Sequence, residues 1–259
     1  MRLKEALDIN PGEVISLVGG GGKTTLMFAL ARELASSGSC VVTTTTTKIF
    51  EPLPSQTPLL LLGTDVEKMI KSLIQNMHKY RHITLARERL PSGKLEGISP
   101  DLVGRLARMN RVSYIIVEAD GAACRPLKAP DPTEPVIPSN TSLLIPMVGV
   151  DAVGCCLTEE NVFRPQIVSE LIGLPLGEVI SAESIAFLIT HHHGTIKGSP
   201  ECARIIPFIN KVDLDKGLAK ARDLAGKILA MGRPRVKQVV LGQAQLTEPV
   251  IEVISLEAG

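Results

Sequence analysis

Residues 19–25 read Gly-Gly-Gly-Gly-Lys-Thr-Thr, between an apolar run, Val14 to Val18, and a stretch from Thr24 to Ala35 whose Leu26, Leu30 and Leu34 fall on one helical face. Strand, glycine turn and helix in that order are the context a phosphate loop requires. Glycines let successive backbone N–H groups converge on an oxyanion, and the helix start adds unbonded donors and the positive end of its dipole. On this reading Gly19, Gly20, Gly21, Gly22, Lys23, Thr24 and Thr25 hold the phosphates of a nucleoside triphosphate. Lys23 reaches the β and γ phosphates, the Thr24 hydroxyl ligates magnesium, and Thr25 adds a phosphate contact. The spacing is not the full G-x-x-x-x-G-K-[ST], because its first glycine would fall at Leu17; the loop is a shortened G-x-x-G-K-T. A plain flexible turn is the simpler alternative, and Lys-Thr-Thr at the helix start weighs against it.

Such a loop needs a carboxylate at the end of a neighbouring strand, to hold the magnesium shell and orient an attacking water. The apolar run Tyr114 to Val117 delivers Glu118 and Asp120 there. Asp120 is expected in the metal shell and Glu118 on the water, with either able to take the other role. A base reader is offered by Asn210, Lys211, Val212 and Asp213, the N-K-x-D order at the end of an apolar run from Ile205 to Ile209. There a carboxylate accepts from N1–H and the N2 amine of guanine, a pair of donors adenine lacks. This favours GTP slightly over ATP. Thr43 to Thr47 with Lys48 either form a switch-like segment near the γ-phosphate or fill a β-branched strand. His191, His192 and His193 are adjacent, do not converge naturally on one ion, and read as a loop. Cys124, beside Arg125 and near Lys128, is either a thiol of lowered pKa or a small loop residue.

The elements that would position these groups follow the alternation of an α/β fold, a mostly parallel sheet with flanking helices of the P-loop NTPase kind. Val41 to Thr47 reads as the second strand, and helices are expected over Asp65 to Tyr80 and Ser99 to Met109, the latter with a serine cap and Pro100 in its first turn. Arg87 to Gly97 reads as a hairpin or loop. From Gly121 to Asn140 the chain carries Pro126, Pro130, Pro132, Pro135 and Pro138, an ordered extended loop. Leu143 to Val148 returns to strand, and residues 151–199 hold loops and two helices, a candidate insertion in an otherwise single domain. A helix over Leu214 to Ala230 and strands near Val236 to Leu241 and Val250 to Ile254 complete the chain.

At 259 residues, 44% apolar and 21% charged with a formal net charge of +1, the chain reads as an ordinary globular protein. Aromatics make up 3% and tryptophan is absent, so base-stacking surfaces are scarce and nucleic acid is not an expected partner. No apolar run approaches the ~20 residues that span a bilayer, so no membrane association and a cytoplasmic location are expected. Five cysteines without a C-x-x-C pair fit reduced thiols better than a disulfide framework.

The motifs taken together, GGGGKTT, TTTTTK, IIVEADGA, PLKAPDPTEPVIP, VGVDAVG with LTEENVFRP, HHHGTIKGSP and INKVD, resemble the YqeC family over nearly the whole length. That resemblance implies a P-loop NTPase-like fold. It further implies an accessory factor for maturing the selenium-containing molybdenum cofactor of selenium-dependent hydroxylases, with magnesium and GTP or ATP, and that cofactor or hydroxylase as partner. Glu118 in its Glu-x-x-Gly setting is also similar to metal-insertion GTPases of urease and hydrogenase maturation, and the shortened loop to that of Mur ligases. Carried over residue by residue, the loop glycines with Lys23, Thr24 and Thr25 take the phosphates, and Glu118, Asp120 and Gly121 form the acidic turn. Lys128, Arg164 and Lys197 would face a second substrate or partner of anionic character. A nucleotide-dependent ligase or kinase acting on a small acid, and a non-catalytic nucleotide sensor, remain the alternatives.

Overall fold

The computed structural model describes residues 1–256. Strand Val14–Gly19 is buried along its whole length, because it lies in the middle of a ten-stranded sheet covered on both faces. From edge to edge the order is Val250–Ser255, Gln238–Gly242, Phe208–Asn210, Leu143–Gly149, Val14–Gly19, Tyr114–Glu118, Val41–Thr45, His82–Ala86 and Leu60–Leu62, with the short Arg204–Ile205 beside Leu143–Gly149. All neighbours pair in parallel except the last two strands of the chain, which run antiparallel. The expected α/β class and mostly parallel sheet are therefore present.

Alternate residues of the central strand feed opposite faces, as a two-residue side-chain period dictates. Ile15 and Leu17 join Leu26, Phe28 and Leu30 of helix Lys23–Ser36 on one side. Val14 and Val18 join Leu73, Leu102, Ile185 and Leu224 on the other, where helices Val66–Asn76, Pro100–Ala107, Ala182–Thr190 and Gly217–Met231 pack. Ser99 caps its helix by accepting from the Leu102 amide at 3.2 Å, as its position before Pro100 foretold. Leu157, Val162, Val168, Ile180 and Ile196 enter that same core, so residues 151–199 serve as the crossover between parallel strands Leu143–Gly149 and Phe208–Asn210.

Several expected elements differ from the structure: the strand expected to Thr47 ends at Thr45, and the helix expected to Tyr80 ends at Asn76. The run Ile205 to Ile209 breaks into Arg204–Ile205 and Phe208–Asn210 around Pro207, which has no amide to give a ladder. The helix expected from Leu214 begins at Gly217, with Lys216 at its N-cap and no side-chain cap bond. A separate three-stranded sheet, Lys48–Phe50, Lys94–Glu96 and Glu88–Arg89, contains the expected hairpin and stands beside the carboxyl ends of the main strands.

Candidate functional site

The glycine loop is fixed by its neighbours on three sides. The amides of Gly20 and Gly21 donate to the carbonyls of Met147 and Arg125, each at 2.9 Å, and the Gly19 amide donates to Asp120 Oδ2 at 3.0 Å. Gly21 has φ +77° and lies against the Gly149 backbone, so a Cβ there would meet the Gly149 nitrogen. Gly22, with φ +116°, is the N-cap of helix Lys23–Ser36, and a Cβ would meet Asn210 Nδ2. Beyond these contacts, the amides of Gly22, Lys23, Thr24 and Thr25 find no acceptor among the described residues. Four unbonded donors at a helix start, facing one cleft, form a seat for an oxyanion.

Lys23 is buried in that seat. Its Nζ donates to the Gly19 carbonyl at 2.6 Å and lies 3.2 Å from Asp120 Oδ1 and 3.7 Å from Glu118 Oε1. The Asp120 contact is an ion pair off the hydrogen-bonding angle, which leaves Oδ1 without a hydrogen-bond partner. Burial draws the Lys23 ammonium toward neutrality, yet Asp120 and Glu118 outweigh it and hold its pKa above the ordinary lysine value. Glu118 goes the other way: burial raises its carboxyl above the ordinary glutamate range despite Lys23. A buried carboxylate of raised basicity, accepting from the Thr24 hydroxyl at 2.6 Å, is placed to meet a cation or a water.

The geometry distinguishes the two acids, whose roles the sequence left interchangeable. Asp120 does not reach Thr24; Oδ2 takes the Gly19 amide and Lys128 Nζ, the latter at 3.0 Å. It positions the loop, and Glu118 is the acid beside the magnesium-ligand candidate Thr24. Hydroxyl and carboxylate oxygens suit Mg²⁺, which keeps water and phosphate oxygens as its other ligands. Among the described residues no group of three or more His, Cys, Asp or Glu side chains forms a cage for a metal ion. A magnesium ion here would come with the phosphates.

Lys128, Arg164 and Lys197, expected to face an anionic partner, all bond within the chain, although Arg164 also lines a neighbouring cleft. Lys128 is 1% exposed, bonded to the Gly121 carbonyl at 2.6 Å and Glu134 Oε2 at 2.8 Å. Arg164 pairs with Glu134 and Asp131, both at 2.6 Å. Lys197 Nζ donates to the carbonyls of Asp131, Pro132 and Glu134. The three cations bind the proline-rich loop to the site, and Glu134, which no motif marked, is their common acceptor. Its carboxyl is held below the usual range because Lys128 and Arg164 outweigh the effect of burial.

Asn210 also has a different task. Its Nδ2 donates to the Gly21 carbonyl at 2.7 Å, and its Oδ1 accepts from the Ala244 amide at 2.9 Å, so its side chain is spent on the loop. Lys211 turns through a φ of 65° and pairs with Asp151 at 2.6 Å, an acid with no sequence signal of its own. Asp213 is exposed and accepts from Gln243 at 2.6 Å. Thr43, Thr44 and Thr45 are strand residues; Thr43 bonds to His82 and Thr84, and the Thr45 hydroxyl donates to the Glu118 carbonyl at 2.7 Å. Only Lys48 of that segment lines the loop's cleft, a cavity of about 480 Å³ that also admits Lys94, Cys124 and Arg125. The three histidine rings lie tilted against one another in a turn after helix Ala182–Thr190, with His191 stacked on Phe187.

The YqeC protein family model matches residues 15–166. The YqeC protein of Escherichia coli (strain K12) is 34% identical over 198 residues, covering 76% of this chain and 75% of that one. This chain belongs to the YqeC family. The YqeC match holds the loop, Glu118, Asp120, Lys128, Glu134 and Arg164, and ends before Lys197 and the 210–213 tetrapeptide. Two crystal structures of FtsY from Mycoplasma mycoides align with a TM-score of 0.31, at 11% and 10% identity, over 92% and 95% of this chain and 63% of theirs. The chain thus spans under two thirds of those neighbours' length, and strand order, rather than that likeness, defines the fold.

Proposed function

We propose that this YqeC-family chain binds a nucleoside triphosphate with magnesium in the cleft at residues 21–25 and hydrolyses its terminal phosphate. The observation that carries the reading is the set of free amides of Gly22 to Thr25 around Lys23, with Thr24 and Glu118 joined beside them. Thr24 and Glu118 would hold the metal, directly or through water, and the ion would supply charge neutralisation at the phosphates. Asp120 and Asn210 keep the loop in place. Lys23 would exchange its Gly19 carbonyl for phosphate oxygens, at little cost because its carboxylate partners stay within reach.

Family resemblance supports the wider role, a cytoplasmic accessory factor that spends nucleotide while the selenium-containing molybdenum cofactor of selenium-dependent hydroxylases is matured. Among the described residues no helix is long and apolar enough to cross a membrane. GTP is the favoured nucleotide, through Asp213, whose partner Gln243 lines the cleft and must be released for the carboxylate to meet a base. The test is competition binding of GTP, ATP and XTP, with and without magnesium, together with phosphate release. GTP should exceed ATP by about tenfold or more, since a donor-poor base leaves the carboxylate unpaired. Asp213→Asn should move the preference toward XTP. Equal affinities for GTP and ATP would remove the guanine reading, and no binding of any triphosphate would remove the proposal.

A further inference from the structure

A second and larger cleft, about 740 Å³, opens next to the first, and Lys48, Lys94, Gly121 and Ala123 line both. Its size is in the range of small-molecule sites, ~300–1,000 Å³. One wall is apolar, made by Val66, Met69, Ile98, Leu102 and Phe163. The charged wall can be sorted by pairing. Arg87 stands against Glu96 at 3.9 Å, and Arg164 is bonded to Glu134 at 2.6 Å, so these charges largely cancel. Lys48 and Lys94 have no carboxylate partner among the described residues. Both stand on the small three-stranded sheet, where Lys48 is paired in register with Glu96 and Lys94 with Phe50. Lys94 Nζ also lies over the Phe50 ring, 4.9 Å from its centre, which holds that ammonium at the junction of the two clefts.

We infer that this second cleft binds a small organic anion, its apolar body against Met69, Leu102 and Phe163 and its anionic group between Lys48 and Lys94, beside the phosphates of the nucleotide. Two unpaired ammonium groups above an apolar wall favour such a ligand over a neutral one, and concavity favours a small molecule over a protein surface. The placement rests on the nucleotide reading for what adjoins the ligand, whereas the cleft's own walls are independent of it. It would make the protein a two-ligand machine in which Lys48 and Lys94 sense both occupants.

The probe is 1-naphthyl phosphate, compared with uncharged 1-naphthol, titrated into the full chain by calorimetry. The phosphate should bind at least tenfold more tightly than the naphthol, and Lys48→Ala with Lys94→Ala should reduce that binding at least tenfold. Val66→Glu places an acid in the second cleft at a half-buried helix position that does not line the loop's cleft. It should abolish probe binding while GTP and ATP titrate as in the parent. Probe binding that survives Val66→Glu but is lost in Lys23→Ala would mean that the phosphate sits in the glycine loop, and overturns the inference. So would equal binding of naphthol and naphthyl phosphate, or none of either. If the probe binds with the expected lysine and Val66 dependence while no triphosphate binds, the second cleft stands and the nucleotide proposal falls.

Discussion

Asn210 Nδ2 holds the carbonyl of Gly21 at 2.7 Å across 189 residues of sequence, and the same side chain accepts the Ala244 amide. The first residue of the N-K-x-D order is thus a brace for the phosphate loop. Asn210→Ala would leave two buried backbone groups unpaired, each at about 1–3 kcal/mol, so the loop should loosen. We expect GTP and ATP affinity to fall alike, by about tenfold. A loss confined to GTP in the same titrations would show Asn210 to be a base reader instead.

Lys23→Ala should act on both binding and stability. Triphosphate affinity should drop at least about a hundredfold, or about 2.7 kcal/mol. Two buried carboxylates also lose their common cation, a change of ~3–5 kcal/mol in such settings. Without Lys23 the folded state favours protonated Glu118 even more, because burial already raises that group. The folded protein then binds more protons than the unfolded chain above the ordinary glutamate pKa, and stability falls as pH rises. Urea unfolding at pH 5 and pH 8 reads this directly: the variant's deficit should be larger at pH 8, and an equal deficit at both would contradict the buried triad.

Glu118→Gln keeps the side chain's shape and removes its charge beside Thr24. Nucleotide binding should persist, turnover should slow at least tenfold, about 1.4 kcal/mol in the barrier, and half-maximal activity should need more magnesium. Asp120→Asn should instead lower thermal stability, since the buried Lys128 loses one of its two carboxylates. Reversed phenotypes, with Asp120 controlling the magnesium requirement, would return the metal to Asp120.

His82 is buried beside Thr43, and burial, helped by Arg32, lowers its pKa from 6.5 to about 4. Between those two values the unfolded imidazole takes up a proton that the folded one refuses. Stability should therefore decline as pH falls through that window, by about 3 kcal/mol in all, with no contribution from this group above it. His82→Gln removes the titration, and chemical unfolding from pH 7 to pH 4 should show a shallower loss than in the parent. Parallel curves would assign the acid sensitivity elsewhere.

The sequence made local relationships plain and left tertiary ones hidden. The glycine loop, its strand and its helix lie within two dozen consecutive residues, and the apolar pattern, Gly22 and Lys23 all announce the same unit. Glu118 was visible as an acid at a strand end, but only the register of Leu17 against Glu118 brings it to Thr24 rather than Asp120. Lys128, Arg164 and Lys197 looked available because loop cations are ordinarily solvated. Their partners Glu134 and Asp131 approach them through the path of a proline-rich loop that has no periodicity to read. Asn210 was found by motif, but its bonds to Gly21 and Ala244 were not, since a four-residue pattern cannot say which way an amide points.

Strand Val14–Gly19 has as its two neighbours strands Tyr114–Glu118 and Leu143–Gly149, both far downstream. The brace on Gly21 comes later still, from residue 210. During synthesis, then, the glycine loop leaves the ribosome well before the strands that flank it and is completed only after them, because pairing across such distances waits on those later residues. A nascent chain that stops before Asn210 would carry every residue of the phosphate seat without holding it in shape. Nucleotide capture would thereby wait on residue 210, and a newborn copy would not draw on the triphosphate pool until that brace had closed.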